Sequence, residues 1–416
     1  LIMKNSTNNK IALVHLTSRL KQTIIAMLSV TFGVSMYVCM NSFMSGVNDT
    51  QNALAFSTLA HIRIYNDSDK ANVNFISGSE ESGKLVNVRN PKFIQYTRGI
   101  KNSVGVLNVL EHYPDIEAIT PQVNLTVAFR NGAMKIDGSL AGVDVESEDR
   151  LFNTSSYMVE GDWKALQQRT DAIVLGKGLA EKLAVGMNDN LSLSTTDGVQ
   201  RSYRVVGIIE FTVASIDDRK AFIRIASARQ LLSKNQGYVS DIQINIADYT
   251  AARKVAAEIQ HAVPFKVEAW QEASGQLEVG SELRDIIALA VSITILIVAG
   301  FGIYNIMNMT VNEKMREIAI LKAMGFEGND IVQIFLSQSV IIGIAGGVLG
   351  LITGFGISFI IDHIPFPIEF MDTYPISYNA SDYALSFFFG FITTFIAGYL
   401  PAKKASNVDP VEIIRA

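Results

Sequence analysis

"GIYNIMNMTVNEKMREIAILKAMGF", residues 302–326, leaves an apolar run at Val311 and at once carries Glu313, Lys314, Arg316, Glu317 and Lys322, before a new apolar run opens at Ile331. A charged segment between two hydrocarbon-like stretches is where a chain leaves a bilayer, turns in water and goes back. That reading makes the C-terminal third a helical membrane protein, and the rest of the chain follows from it.

Crossing a bilayer as a helix takes about 20 apolar residues. Four stretches reach that length: residues 22–47, 285–311, 331–361 and 383–400. The composition agrees, with 49% hydrophobic and 18% charged residues and a mean hydropathy of +0.24 over 416 residues, too apolar for a wholly water-soluble chain of this length. The first stretch is longer than a signal-peptide core and has no small-x-small cleavage site, so it reads as an uncleaved anchor.

Basic residues set the orientation. Lys4, Lys10, Arg19 and Lys21 precede the first span, Lys314, Arg316 and Lys322 lie between the second and third, and Lys403, Lys404 and Arg415 follow the fourth. The loop at 362–382 holds Asp362, Glu369, Asp372 and Asp382 without Lys or Arg. Residues 1–21, read as an amphipathic segment, 312–330 and 401–416 are therefore expected in the cytoplasm, and 48–284 and 362–382 outside it. The net charge of −5 is modest and spread out and says nothing about nucleic acid, which is not expected as a partner, and the single cysteine, Cys39, rules out an intramolecular disulfide.

The outer segment alternates strand and helix patterns. HIRIYN at 61–66 reads as a strand and VGVLNVLEHYP at 104–114 as a helix ended by Pro114. Residues 122–132 and 134–144 form a hairpin turning at Asn131-Gly132, and 240–270 give strand, helix, strand. Two such halves, 60–144 and 238–270, flank an insert at 145–237. The expected fold is a polytopic α-helical membrane protein with four transmembrane helices and a large α+β extracytoplasmic domain, in two subdomains, inserted between helices 1 and 2. The polar stretch at 66–103, rich in Gly, Ser and Asn, reads as a surface excursion.

Catalytic and metal motifs are missing from the sequence. His15, His61, His112, His261 and His363 are scattered without metal-ligand spacing, no nucleophile turn occurs, and GKGLA at 176–180 lacks the spacing of a phosphate loop. The chain is read as a non-enzyme that binds no cofactor itself. The spans carry no charge near their centres, which argues against ion-coupled transport. In the third, Gly343, Gly346, Gly347, Gly350 and Gly354 recur four apart, which predicts one smooth ridge for a neighbouring helix.

Residues 313–324 are strong helix formers with Gly325 as the expected C-cap. Met315, Ile318, Ala319, Ile320, Leu321, Ala323 and Met324 distribute nearly all the way round such a helix, a pattern that asks for a second protein to cover it.

Together, NEKMREIAILKAMG, the Gly-rich span after it and the C-terminal LPAKKASNVDPVEIIRA resemble the FtsX-like permease module of ABC transporters. The start, IALVHLTSRLKQTIIAMLSVTFGVSMYVCMNSFMSGVNDT, with IVLGKGLAEKLAVGMNDNLSL, YRVVGIIEF and FKVEAWQEASGQL, is similar to the lipoprotein-releasing LolC/LolE permeases, and the four-span plan is shared with MacB-type permeases. The resemblance implies a porter-like part at 60–144 and 238–270, a sabre-like insert at 145–237 and a stalk at 271–284. It also implies a coupling helix that docks on a separate LolD/MacB-like ATPase dimer, which would hold the ATP and Mg, through Glu313, Lys314, Met315, Arg316, Glu317, Ile318, Leu321, Lys322, Met324 and Gly325. The other implied partners are a second permease subunit (a second copy or a sister chain), membrane lipids, a periplasmic carrier and an acylated lipoprotein. Its acyl chains would enter a cavity lined by Met40, Phe43, Met44, Val47, Leu277, Leu283, Ile286 and Ile287, with Met44 just before a Ser45-Gly46 turn. The LolC hook is missing: only TTDGVQRS, without proline, separates NLSLS from YRVVG. MacB-like export of a hydrophobic small molecule or peptide, and FtsX-like signalling to a cell-wall hydrolase or sensor, are the alternative functions.

Overall fold

The computed structural model describes residues 2–67, 99–211, 214–368 and 371–407. Most of the polar excursion and the last residues of the C-terminal motif lie outside them. The chain divides into two units, Leu1–Gln51 with Val279–Ala416, and Asn52–Glu278.

The first unit is helical. An N-terminal helix, Ile2–Ser18, precedes the first long helix, Leu20–Phe56. The second long helix is Gly275–Glu313, a short linking helix follows at Met315–Ala323, and the third and fourth long helices are Gly328–Asp362 and Ala380–Ser406. All four long helices have the length and apolarity to cross a membrane. At about 1.5 Å per residue, the 39 residues of the second exceed a hydrocarbon core of about 30 Å, so the helices continue past the apolar limits read from sequence. The fourth runs through Pro401 into PAKKAS.

Glycine governs how these helices meet, on two faces of the third helix where one ridge was expected. A Cβ added at Gly346, Gly350 or Gly354 would lie 2.7–3.0 Å from Val30, Val34 or Val38 of the first long helix. Gly343 and Gly347 turn instead to Thr394 and Phe387 of the fourth. Each step of four residues advances 40° around a helix, so glycines three and four apart spread over two grooves. Thr31 Oγ1 donates to the Gly346 carbonyl at 3.1 Å across the first contact.

The expected turn at Ser45-Gly46 does not exist, because the first long helix continues unbroken to Phe56. Gly46 answers a different demand: an added Cβ there would lie 2.7 Å from the backbone nitrogen of Ile376, and the Ser377 amide donates to the Ser42 carbonyl at 2.9 Å. A close backbone approach, rather than a turn, requires the glycine.

The second unit is built on one ten-stranded sheet. Its strands are β1 (Ile62–Tyr65), β2 (Ile116–Asn131), β3 (Met134–Val143), β4 (Met158–Gly161), β5 (Ala172–Gly176), β6 (Asn190–Thr195), β7 (Gln200–Ile209), β8 (Lys220–Arg224), β9 (Asp241–Ile246) and β10 (Lys266–Ala269). The β2–β3 hairpin turns at Asn131-Gly132 with Gly132 at φ +58°, as its sequence predicts. The helix expected at 104–114 is Ser103–Leu110, ending before Pro114. β6 and β7 close through a tight turn, the Thr195 amide donating to Val199 at 2.9 Å, where a hook would otherwise project.

Strands of the insert and of its flanks share this sheet. β2 pairs β3, β3 pairs β8, β8 pairs β5, β5 pairs β7, β7 pairs β6, and β6 returns to β2, which closes a ring. Alternation sorts its side chains into two cores. Ile173, Leu175, Ala221, Ile223, Val127, Phe129, Leu191 and Leu193 join one, while Ala172, Val174, Phe222, Ala141 and Val143 join another capped by Trp163 and Leu166. β5 is buried on both faces, which is why AIVLG is a continuous apolar run.

Beyond the ring, the face of β1, β9 and β2 carries a buried polar network. Glu148 accepts from Gln122 Nε2 at 2.8 Å and from Thr120 Oγ1 at 3.2 Å, and Asp241 accepts from Arg63 Nε at 2.6 Å and Asn124 Nδ2 at 3.1 Å. Burial pushes the Glu148 carboxyl up to about 7, against the opposing pull of Gln122 and Lys220. Its folded value thus lies above the unfolded value of 4.5, so the stability it contributes is complete below that value and is lost as pH rises through about 7. Asp241, also raised by burial, acts in the same sense. Thermal melts of the purified protein should show stability falling between about pH 5 and 8, by at most about 3 kcal/mol from Glu148. Glu148→Gln should flatten that slope, and an unchanged slope would contradict the assignment.

Candidate coupling surface

The linking helix begins after a break at Lys314 and ends in a Schellman motif. Gly325, at φ +99°, sends its amide to the Lys322 carbonyl at 3.1 Å, and Phe326 sends its own to Leu321 at 3.2 Å. Phe326 and Leu321 both pack on the membrane unit's core, completing the cap with an apolar contact. Glu313 is the last residue of the second long helix rather than part of the linking helix.

One face of the linking helix is covered by the chain itself. Ile318 and Ala319 are buried, in contrast to the expectation that a second protein must cover the helix on several sides. Lys314 is buried too, its Nζ 2.6 Å from Glu317 Oε2. Lys322 donates to the Ser406 carbonyl at 2.9 Å, so the linking helix is tied to the end of the fourth long helix. Lys314, Ile318, Leu321 and Lys322 therefore point into their own bundle.

The N-terminal helix supplies much of the cover. Asn8 donates to Gln333 Oε1 at 2.9 Å and to Asp330 Oδ1 at 3.4 Å, and Asp330 closes a capping box with Glu327 at the start of the third long helix. His15 Nε2 lies 3.4 Å from Glu317, and its Nδ1 is 3.1 Å from Gln338 Nε2. A carboxylate on one side and an amide donor on the other assign the proton to Nε2. Burial, and then Lys314, hold the imidazole below its usual value, so neutral His15 fits both contacts. Arg19 pairs with Glu313, to which Gln22 also donates.

What remains uncovered is a stripe. Arg316, Glu317, Ile320, Ala323 and Met324 are exposed, at spacings of one, three and four residues that place them on one side of the helix. Ile320 and Met324 are 51% and 65% exposed. Apolar side chains flanked by Arg and Glu, on a rigidly held helix outside the membrane core, form a surface suited to receiving another protein. Of the residues expected to couple, Arg316, Glu317 and Met324 stand on this stripe.

Asn8, Asp330 and Gln338 were not singled out in the sequence, and His15 was weighed there only as a metal ligand. Their only signal was polarity at the very start of an apolar run, in DIVQIFLSQS, where Asp330, Gln333 and Gln338 share one side of a helix.

The expected cavity residues are less unified. Met40, Phe43, Met44 and Val47 are half-buried along the first long helix, and Leu283, Ile286 and Ile287 are exposed on the second. Leu277 packs against the core of the inserted unit instead. Near these positions Asn48 joins the first two long helices, accepting from Arg284 at 2.6 Å and donating to Asp285 at 2.8 Å.

Four membrane-crossing helices, an α+β unit inserted after the first, and an exposed linking helix between the second and third define a membrane permease. Residues 23–262 match the MacB-like periplasmic core domain and residues 289–410 the FtsX-like permease C-terminal domain. The chain belongs to the MacB-like family and is an ABC transporter permease of the FtsX, MacB and LolC/LolE type. It is 26% identical to an uncharacterized ABC transporter permease of Methanocaldococcus jannaschii, over 64% of this chain and 67% of that one. The macrolide export ATP-binding/permease protein MacB of Bdellovibrio bacteriovorus is 27% identical over 60% of this chain and 39% of its own length. LolC, the lipoprotein-releasing system transmembrane protein of Neisseria meningitidis, is 24% identical over 81% of this chain and 87% of that protein. The chain thus spans less than half of the MacB relative and most of the LolC relative.

Proposed function

We propose that this chain is the permease subunit of a transporter driven by a partner ATPase dimer, and that it extracts acylated lipoproteins from the bacterial inner membrane for transfer to the outer membrane. Both termini and the linking helix lie in the cytoplasm in this reading, and the inserted unit lies in the periplasm. The single observation that carries it is the uncovered stripe of Arg316, Glu317, Ile320, Ala323 and Met324 on a helix whose other faces are packed. ATP hydrolysis on a protein docked there pushes the linking helix. His15, Lys314 and Glu317 hold the N-terminal helix to it, so the two move together.

The substrate assignment rests on similarity to LolC along most of both chains. The flexible, half-buried Met40, Phe43, Met44 and Val47 also suit variable acyl chains. Export of a hydrophobic small molecule or peptide is the second reading, favoured by the MacB-like match over 23–262. A photo-crosslinking residue in place of Met44, activated in bacterial cells, separates the two. Capture of acylated lipoproteins is the expected result. Capture of neighbouring helices or a small molecule alone would move the assignment to export and leave the coupling stripe intact.

A further inference from the structure

On one face of the inserted unit's sheet, polar side chains run across five adjoining strands. Arg63 of β1 faces Gln243 of β9, Asp241 of β9 faces Gln122 of β2, Thr126 of β2 faces Ser139 of β3, and Ser139 faces Lys220 of β8. The charged members of this row have partners, with one exception. Asp241 is taken by Arg63 and Asn124, and Glu148 behind it by Gln122 and Thr120. The Lys220 ammonium, by contrast, has no hydrogen bond or ion pair among the described residues, although Glu148 and Asp241 act on it electrostatically from a longer distance. It lies 4.9 Å from the centre of the Phe222 ring and 5.8 Å from that of Phe211, contacts that hold it in place without an acceptor.

Space adjoins this amine on both sides. A cavity of about 670 Å³ is lined by Arg63, Asn124, Ser139, Ser215, Arg219 and Lys220 among others. A second, of about 240 Å³, shares Thr58, Arg63, Asn124 and Lys220 with it, so the two form one cleft with Arg63 and Lys220 at its middle. Arg63 spends Nε and one terminal nitrogen on Asp241, which leaves its other terminal nitrogen, Nη1, for a ligand. Arg219 also lines the cleft, is exposed, and has no side-chain partner among the described residues. Three acids also reach the cleft: Asp241, held by Arg63, Asp137 beside Lys135 at 3.8 Å, and Glu268 beside Lys266 at 3.0 Å, each with its own cation.

We propose that this cleft binds a phosphate group, held by Lys220, Arg63 and Arg219 with hydroxyl donors from Ser139, Ser215 and Thr58. Three cations around one cavity match a group carrying between one and two negative charges, and the amine lacks the acceptor that such a group supplies. The phosphate comes from a soluble phosphate compound or from a phospholipid headgroup, which present the same oxygens. None of its residues is among those assigned to acyl-chain entry or to the exposed stripe of the linking helix, so it stands whichever substrate the permease moves.

The test uses the full chain in a maltoside detergent, which carries no phosphate, titrated with inorganic phosphate and followed by ³¹P line broadening. Saturable binding is expected, weakened about tenfold or more in Lys220→Met and restored in Lys220→Arg, since a charge-assisted contact contributes about 1.5–3 kcal/mol. Repeating the titration with phosphatidic acid added to the detergent identifies the source. Displacement of free phosphate assigns the site to headgroups, and unaltered binding assigns it to soluble phosphates. Circular dichroism melts confirm that both variants fold. No saturation in the parent chain, or equal binding by a folded Lys220→Met, would overturn the proposal.

Discussion

Gly350→Leu is expected to prevent assembly of the membrane bundle, giving little or no monodisperse protein after detergent extraction. A Cβ at this position already lies 2.7 Å from the Val34 Cβ and 3.0 Å from the Thr31 carbonyl oxygen. The valine has one favoured rotamer in a helix, and the carbonyl cannot move without its helix. In lipid, where neighbouring apolar surfaces are no better for a side chain than acyl tails, close contact is the main attraction between these helices. Gly350→Ala should cost about 1–3 kcal/mol, the range for overpacking by a methylene or two, and the leucine should force the first and third helices apart. Gly356 lies on the same helix with nothing within 4 Å of an added Cβ, so Gly356→Leu should extract and melt like the parent chain. Equal behaviour of the two leucine variants would mean that the first and third helices do not meet at Gly350.

The four spans and the position of the inserted unit were legible because they rest on local composition, which a bilayer selects strongly. The spacing of Gly343, Gly346, Gly347, Gly350 and Gly354 announced close packing but not its partners. A glycine records that something approaches, not whether Val34, Thr394 or, for Gly46, the backbone at residues 375–376 does so. The inserted unit shows the same limit at larger scale. Hairpin turns at Asn131-Gly132 and near Gly198 are written in adjacent residues, whereas pairing of β2 with β6 and of β3 with β8 closes the ring over long separations. The insert's boundaries, read from where the pattern changes, therefore fall inside one continuous sheet.

The linking helix was legible as an element, whereas how much of its surface the chain itself covers was not. Apolar residues around its whole circumference suggested that a partner covers several sides, while the amphipathic segment at 1–21 was read as cytoplasmic without a packing partner of its own. Lys314 illustrates the difference. As a charge beside a predicted docking site it looks outward, but it is buried at 2.6 Å from Glu317.

That distinction fixes which substitutions test coupling. Glu317→Ala would leave Lys314 buried without its carboxylate and would free His15, so a loss of activity there would mix coupling with stability. Arg316, Ile320 and Met324 are exposed and can be truncated without opening a cavity in the chain. The triple variant Arg316→Ala, Ile320→Ala, Met324→Ala is expected to keep the parent chain's melting behaviour. It should lose association with the ATPase and lower ATP-driven transport by about thirtyfold or more, because a central interface side chain is worth about 2 kcal/mol. Arginine with an exposed aliphatic neighbour is the type of side chain that concentrates binding energy in such contacts. Hydrolysis by the ATPase alone should be unaffected, so the ratio of transport to hydrolysis is the quantity to measure. A variant that melts normally, still co-purifies with the ATPase and transports at the parent rate would place the docking surface elsewhere on the chain. His15→Ala then separates docking from transmission. It removes the link between the N-terminal helix and Glu317 while leaving Arg316, Ile320 and Met324 in place, so ATPase association should persist while the transport-to-hydrolysis ratio falls.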